Sequence, residues 1–494
     1  MTKYISTRGD NRERGAAQAI IQGLAPDKGL FVPAAVPKLE CGFAGGAGVS
    51  YREVAHSVMG AFLSDFSQEE LRACIDGAYD EKFDSPDIAP IVKTERAHFL
   101  ELYHGRTAAF KDMALSILPY LLKTAMQKEN ESRKVVILTA TSGDTGKAAL
   151  EGFADVDGTE IFVFYPKDGV SEVQERQMVT QVGGNTHVYS INGNFDDAQT
   201  AVKSIFNDRA YGEALEAGGY RLSSANSINI GRLVPQVAYY CFAYARLVER
   251  GEIKQGDSIN IAVPTGNFGN ILAAWYAKEA GLPVARLICA SNENRVLTDF
   301  MASGVYDANR QFHITSSPSM DILISSNLER LLWHLSGGDS EEIAGYMKRL
   351  DAERRYEVSD RVRSGMKEFM WGGCADMASA HDAIGKLWHG ERYLMDTHTA
   401  VAYSVYQDYR EQTGDSTPTV IASTASAYKF ADKVAESIGL GKEPNGFAYI
   451  DALNKATGTP VPEGLRGLDK KEIRHRGTVS APEMPDAIRV ALSR

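Results

Sequence analysis

A primary amine set among small, hydroxylic and aromatic residues is a candidate nucleophile toward an aldehyde. Lys111 occupies such a place, in the run His104-Gly105-Arg106-Thr107-Ala108-Ala109-Phe110-Lys111-Asp112, just before a predicted helix. Most lysines are solvated surface cations, so Lys111 gains meaning only from what the fold brings to it. A Schiff base on this amine would mean that an aldehyde cofactor carries most of the chemistry.

Two glycine-rich turns follow. The first, Thr139-Ala140-Thr141-Ser142-Gly143-Asp144-Thr145-Gly146-Lys147, joins a predicted strand to a predicted helix over 148–153. A turn of this kind exposes backbone N–H groups and the positive end of a helix dipole to an anion. It is not a Walker A loop, because no glycine stands five residues before Gly146 and Lys147 is followed by Ala148. The second turn, Val263-Pro264-Thr265-Gly266-Asn267-Phe268-Gly269-Asn270, again lies between a strand and a helix. Gly266 and Gly269 permit close backbone approach to a phosphate, and a tight turn with a helix-capping Asn is the plainer alternative. Pyridoxal phosphate needs an amine for its aldehyde, a cradle for its phosphate and a second anion site for an amino-acid carboxylate. Lys111 and the two turns supply those three elements.

The elements that must position them read as α/β. Short apolar runs at 135–138, 161–164, 259–263 and 286–289 predict buried strands, and helices are expected over 196–207, 231–250 and 270–280. Alternating strands and helices imply two open, largely parallel sheets, one in a smaller unit at about 134–210 and one in a larger unit formed by about 93–133 and 211–494. Residues 1–92 read as a mainly helical N-terminal segment broken at Pro26-Asp27-Lys28-Gly29 and by the glycine-rich 41–48 stretch. Residues 335–395 read as a charged helical insertion, and the tail from about 440 as a surface wrap.

Composition sets outer bounds. At 494 residues, 44% hydrophobic and 24% charged, the chain is long enough for two or three domains. The 64 acidic and 53 basic residues leave a net charge of −11, which disfavours nucleic acid and anionic membranes, so an anionic ligand needs local cations. Five widely spaced cysteines without a Cys-x-x-Cys pair suggest reduced thiols in a cytoplasmic protein. No signal-peptide or membrane-spanning stretch is expected. His381 and His389 lack a metal-ligand pattern, so no metal is expected. Ser426-Ala427-Tyr428-Lys429 matches Ser-x-x-Lys without the accompanying Lys-Thr-Gly and is read as coincidence.

Across nearly its whole length the chain resembles the threonine synthase family, which uses pyridoxal phosphate on the tryptophan-synthase β-like fold type II. The resemblance rests on Tyr4-Ile5-Ser6-Thr7-Arg8-Gly9, the Lys111 run, Ser142-Gly143-Asp144-Thr145-Gly146, Asn226-Ser227-Ile228-Asn229 and Pro264-Thr265-Gly266-Asn267-Phe268-Gly269. It continues through Ser319-Met320-Asp321-Ile322, Asn327-Leu328-Glu329-Arg330, Asp396-Thr397-His398-Thr399 and Thr424-Ala425. It implies conversion of O-phospho-L-homoserine and water to L-threonine and phosphate. Lys111 would hold the cofactor and move protons at Cα and Cβ, and Gly266, Asn267, Phe268, Gly269 and Asn270 would cradle its phosphate. Asp144 would lie near the ring oxygen and Thr424 near the pyridine nitrogen. Ser142, Gly143 and Thr145 would receive the substrate carboxylate, and Ser227, Asn229 and Arg232 the substrate phosphate. Two departures stand beside these motifs: Arg106 where many members carry proline, itself a further candidate for the substrate phosphate, and Ser426-Ala427 in place of a His-Pro. The alternatives are a lyase releasing 2-oxobutyrate and phosphate, and a non-catalytic cofactor-binding homologue. A monomer or homodimer is expected.

Overall fold

The run Lys134–Ala140 is apolar and rich in β-branched residues, and every position after Lys134 is buried. A strand of this composition needs cover on both faces, which parallel sheets receive from their crossover helices. The computed structural model describes residues 1–39, 48–141, 143–193 and 195–493. It places this strand in a five-stranded parallel sheet ordered Gly477–Val479, Thr186–Ile191, Thr159–Pro166, Lys134–Ala140, Tyr220–Ser224. A second sheet of six strands is ordered Met370–Cys374, Val284–Ser291, Ile259–Pro264, Thr419–Ser423, His98–Glu101, Ile91–Lys93. Its first five strands are parallel, and the last pair is antiparallel.

The helices Phe195–Asn207, Ile230–Glu249 and Gly269–Glu279 form where the apolar periodicity puts them. Pairing crosses the expected unit boundaries, however. Tyr220–Ser224 joins the smaller sheet beside Lys134–Ala140, beyond 210, and Ile91–Lys93 runs across position 92 as an edge strand of the larger sheet. Within 335–395, the segment Met370–Cys374 is not helical but a sheet edge, where Gly372 and Gly373 weaken any periodic signal.

The N-terminal segment carries helices Ala16–Gln22, Tyr51–Phe62 and Gln68–Ala78, the last two started by capping boxes at Ser50/Glu53 and Ser67/Glu70. It also carries a small antiparallel pair, Tyr4–Ser6 with Phe31–Pro33. Its apolar side chains merge with the core around the long helix Ile230–Glu249, with Tyr51 edge-on to Phe242 at 5.4 Å. The glycine-rich 41–48 break lies outside the described residues except at Gly48. Among the described residues no helix is long and apolar enough to cross a membrane, and the four described cysteines form no disulfide with one another.

The tail is not a surface wrap. Gly477–Val479 extends the smaller sheet, and the helix Met484–Leu492 buries Met484 and Ile488, four residues apart on one face, in the same cluster as Val136, Leu138 and Phe162. Ile488→Ala is therefore expected to lower stability by about 2–5 kcal/mol, read from the denaturant midpoint of urea unfolding. A change within about 0.5 kcal/mol would show the tail to be dispensable packing.

Candidate active site

Each segment singled out for chemistry leaves the carboxyl end of a parallel strand, where open α/β sheets bind ligands. The Lys111 run follows His98–Glu101, residues 141–145 follow Lys134–Ala140, and residues 226–232 follow Tyr220–Ser224. The turn at 265–268 follows Ile259–Pro264, and Thr424 follows Thr419–Ser423. The two sheets thus point their ligand-binding ends at a common space.

The Lys111 run is held from both sides. Phe110 N–H donates to the Thr424 carbonyl at 2.7 Å, and Ser426 N–H to the Ala108 carbonyl at 3.0 Å. Asp112 is buried and accepts from Thr107 N–H at 2.8 Å and Thr107 Oγ1 at 2.6 Å. Burial raises the Asp112 carboxyl to about 6 against the Thr107 bonds that favour its charge. A Cβ on Gly105 would sit 2.5 Å from the Asp112 side chain, so the run closes only with glycine there. Lys111 itself is half-buried, its Nζ 3.4 Å from Ser319 Oγ. Loss of water lowers this amine to about 8; nearby Asp144 opposes that shift, while Arg232 and Lys429 add to it. An amine so placed is partly unprotonated near neutral pH, as a nucleophile toward an aldehyde must be.

Asp144 opens the helix Asp144–Phe153 and is buried. Burial opposes its charge, yet Lys429, Lys111 and Gln174 hold the carboxyl well below the usual carboxylate range. Lys429 Nζ lies 2.8 Å from Asp144 Oδ1, with both side chains almost wholly enclosed, and Gln174 Nε2 donates to the same oxygen at 3.0 Å. Lys429 also donates to the Thr107 carbonyl at 3.1 Å and to Gln177 Oε1 at 2.9 Å. The Ser-x-x-Lys match is thus no penicillin-type nucleophile, but its lysine belongs to the site. The Ser426-Ala427 departure forms its own turn, Ala427–Phe430, which delivers Lys429 inward. The signal available in the sequence was Lys429 within an otherwise apolar stretch, Ala427-Tyr428-Lys429-Phe430-Ala431.

The turn before helix Gly269–Glu279 has the shape a phosphate requires. Phe268 is left-handed at φ 64°, and a Cβ on Gly266 would meet the Ser319 carbonyl at 2.5 Å. The carbonyls of Gly266 and Asn267 are bound from outside, by Ser325 Oγ at 2.7 Å and by Asn327 Nδ2 at 2.9 Å. The first N–H groups of the helix are left to face a ligand. Asn270 instead points into the core: its Oδ1 accepts from Tyr239 and Tyr240, and its buried Nδ2 has no partner among the described residues. Thr424 is buried beside the Lys111 run, its N–H donating to Thr399 Oγ1 at 3.2 Å.

Several expected ligand contacts are otherwise engaged. Gly143 N–H donates to Thr141 Oγ1 at 2.9 Å, so Gly143, at φ 134°, serves the turn's shape. Asn229 is the cap of helix Ile230–Glu249: Oδ1 accepts from Gly231 N–H at 2.9 Å and Nδ2 donates to the Ile20 carbonyl at 3.0 Å. Nδ2 also reaches the Ser224 carbonyl at 3.4 Å, so both amide N–H groups and the oxygen are engaged within the protein. Arg106 is exposed and faces Glu151 at 3.4 Å. Ser227 lies beside the phosphate turn, its Oγ accepting from Asn327 Nδ2 at 3.1 Å and its Cβ 3.8 Å from the place of a Gly269 Cβ. Thr145 is half-buried in the first turn of its helix, and Ser142 lies outside the described residues. Arg232 is buried, donates Nη1 to the Ala225 carbonyl at 2.8 Å and has no partner for Nε among the described residues. Burial lowers this guanidinium to about 10.

These residues fit a cofactor that is both aldehyde and phosphate. Lys111 lies within electrostatic reach of Asp144, Lys429 and Arg232, so three cations stand near a single buried carboxylate or its lysine neighbour. The positive excess calls for an anion, and the glycine cradle leaves room for one.

Two outcomes test this electrostatic frame. Lys429→Met, which strands the buried Asp144 charge, is expected to cost about 3–5 kcal/mol in urea unfolding; an unaltered midpoint would show the pair to be dispensable. His104, at the base of the Lys111 run, lies 2.5 Å from Asp84 and 3.0 Å from Glu101. Burial disfavours its charge, but the two carboxylates raise it from 6.5 to about 9. Its stabilisation is full below 6.5 and is lost as pH rises through about 9. Because Asp84 is half exposed, the loss is expected to be about 1–2 kcal/mol. Unfolding compared at both extremes should show that loss in the parent and not in His104→Gln.

Three family models cover most of the chain: Threonine synthase N terminus over residues 3–79, Pyridoxal-phosphate dependent enzyme over 83–359, and Threonine synthase, C-terminal over 399–485. The chain is 35% identical over 501 residues to threonine synthase of Eremothecium gossypii, covering 95% of this chain and 94% of that protein. It is 39% identical over 442 residues to human threonine synthase-like 1, covering 87% of this chain but only 58% of that longer relative. The crystal structure of PLP-bound threonine synthase from Brucella melitensis matches with a TM-score of 0.88 at 34% identity, over 100% of both chains. The chain belongs to the threonine synthase family of pyridoxal-phosphate-dependent enzymes.

Proposed function

We propose that this protein converts O-phospho-L-homoserine and water to L-threonine and inorganic phosphate, as a carbon–oxygen lyase acting on a phosphate ester. The observation that carries the reading is the gathering of Asp144, Lys429 and Arg232 around the Lys111 amine, on segments that leave the two sheets' carboxyl ends. Two anionic groups, the cofactor phosphate and the substrate phosphate, balance such a cluster in a way that a neutral ligand does not.

Bound pyridoxal phosphate supplies an electron sink for charge developing beside the substrate's amino-bearing carbon. The chain's own residues do the rest. The 266–269 turn holds the cofactor phosphate through backbone N–H groups. Lys111 binds the cofactor through its amine and, once released by the substrate amine, holds and moves the proton at Cα and then at Cβ. Arg232 faces the substrate phosphate with its unpartnered Nε. Thr424 offers the ring nitrogen a hydroxyl, which does not force protonation as a carboxylate would.

Lys111→Ala should lower phosphate release from O-phospho-L-homoserine by ~10³-fold or more, with threonine as the product of the parent protein. If the parent yields 2-oxobutyrate without threonine, the protein is the eliminating lyase; if it yields neither, it is a non-catalytic homologue. In cofactor-free protein, capture of pyridoxal phosphate into a borohydride-stable adduct should rise with pH and level off above about 8, where the Lys111 amine is deprotonated. A rise that continues toward 10.5, the ordinary lysine value, would contradict the buried setting of this amine.

A further inference from the structure

Asp396 is a fully buried carboxylate that sits outside the cation cluster and caps the helix Thr397–Thr413. Both of its oxygens are engaged by its own helix. Oδ1 accepts from His398 N–H at 2.8 Å and faces His398 Nδ1 at 2.9 Å; Oδ2 accepts from Thr399 Oγ1 and, at 3.4 Å, from Thr399 N–H. The contact to Nδ1 decides the imidazole's tautomer. A carboxylate only accepts, so the ring proton is on Nδ1 and Nε2 presents a lone pair. That lone pair receives the N–H of Ser319 at 3.1 Å.

Ser319 lies in the turn Pro318–Met320, and three of its groups point to three different tasks. Its N–H is held by His398, its carbonyl covers Gly266 of the phosphate turn, and its hydroxyl faces Lys111 Nζ at 3.4 Å. The far side of the turn is clamped as well: Asn292 Nδ2 donates to Ser317 Oγ at 3.0 Å and to Asp321 Oδ1 at 2.7 Å. Through Thr399, whose Oγ1 accepts from Thr424 N–H at 3.2 Å, the same carboxylate also supports the Thr424 end of the site.

We infer that Ser319 is a further catalytic residue, its hydroxyl orienting the Lys111 amine for proton transfer, and that Asp396 and His398 are positioning residues that fix the Ser319 turn. The inference rests on Lys111 being the cofactor-binding amine. When Lys111 is the free base, its lone pair must aim at the substrate Cα–H while an N–H is directed elsewhere, and Ser319 Oγ is the acceptor that takes that N–H. At 3.4 Å the contact is long, as catalytic hydrogen bonds commonly are before a site closes on its substrate. A fixed orientation is worth large factors in rate, since a misplacement of about 1 Å can cost on the order of 100-fold.

Three variants test it: Ser319→Ala removes the hydroxyl, His398→Leu removes the acceptor for Ser319 N–H, and His398→Gln can return a carbonyl oxygen to the position of Nε2. Ser319→Ala and His398→Leu are expected to lower kcat by about 10–100-fold with KM within about threefold. Both should also slow borohydride-trapped capture of pyridoxal phosphate by the cofactor-free protein by about tenfold, a readout that needs no turnover. His398→Gln should recover both rates to within about threefold of the parent. Parent-like rates in Ser319→Ala overturn the inference, as does a His398→Gln variant as slow as His398→Leu, which would reduce His398 to its ring packing against Phe430, 4.9 Å between centroids. Should His398→Leu fail to show a cooperative thermal transition, Ser319→Ala and His398→Gln decide the matter. An adduct that still forms in Lys111→Ala would instead overturn the assignment of Lys111 itself, and so separates that failure from this one.

Discussion

Enclosing Lys429 and Asp144 together is the constraint on which the rest of the site depends. Stripping water from each ion costs several kcal/mol, and mutual attraction offsets that cost only where hydrogen bonds satisfy the remaining polar atoms. Here Gln174 completes the carboxylate, while the Thr107 carbonyl and Gln177 complete the ammonium. The pair also joins the helix after Lys134–Ala140, in the smaller unit, to the turn after Thr419–Ser423, in the larger one. Among the described residues the Lys111 amine hydrogen-bonds only Ser319 Oγ and the Arg232 guanidinium only the Ala225 carbonyl. Their charge, added to the positive ends of helices, prepares the space for anions before any ligand arrives.

The support behind this space is largely backbone recognition by buried side chains. Arg330 is wholly enclosed, and its guanidinium donates to the Phe31 carbonyl at 2.8 Å, to Asn327 Oδ1 and to the Ile228 carbonyl. Asn327 in turn holds the Asn267 carbonyl of the phosphate turn. Next to it, Glu329 accepts from Thr7 Oγ1 at 2.5 Å and Arg8 Nε at 2.9 Å. The N-terminal segment therefore braces the phosphate turn through Glu329 and Arg330, which explains why it shares a core with the long helix Ile230–Glu249 instead of forming its own.

Much of this was legible in one dimension. A buried parallel strand must be apolar on both faces, and a turn that wraps an anion must contain glycine, so both leave local marks that survive without coordinates. Where recognition depends on which neighbour satisfies a side chain, the marks are ambiguous. Asn229 looks alike as a helix cap and as a phosphate ligand, because both tasks use the same short amide; only the closeness of Gly231 and the Ile20 carbonyl assigns it to capping. Gly143 and Arg106, expected at the substrate's carboxylate and phosphate, stand beside Thr141 and Glu151, partners that sequence does not reveal. Lys429 carried no assigned role, because a lysine's place in a sequence does not tell a surface cation from a buried one.

By its own order of residues the chain determined the α/β class, the sites of most strands and helices and the two glycine-rich turns that follow strands. These follow from periodicity and backbone sterics, which act over a few residues. Tertiary structure decided that Tyr220–Ser224 and the tail's Gly477–Val479 complete the smaller sheet, that Lys429 neutralises Asp144 from 285 positions away, and that Ser319 reaches Lys111 across 208 positions. Burial and charge pairing are properties of the space between distant segments. A linear sequence leaves that space undefined until the core closes around it.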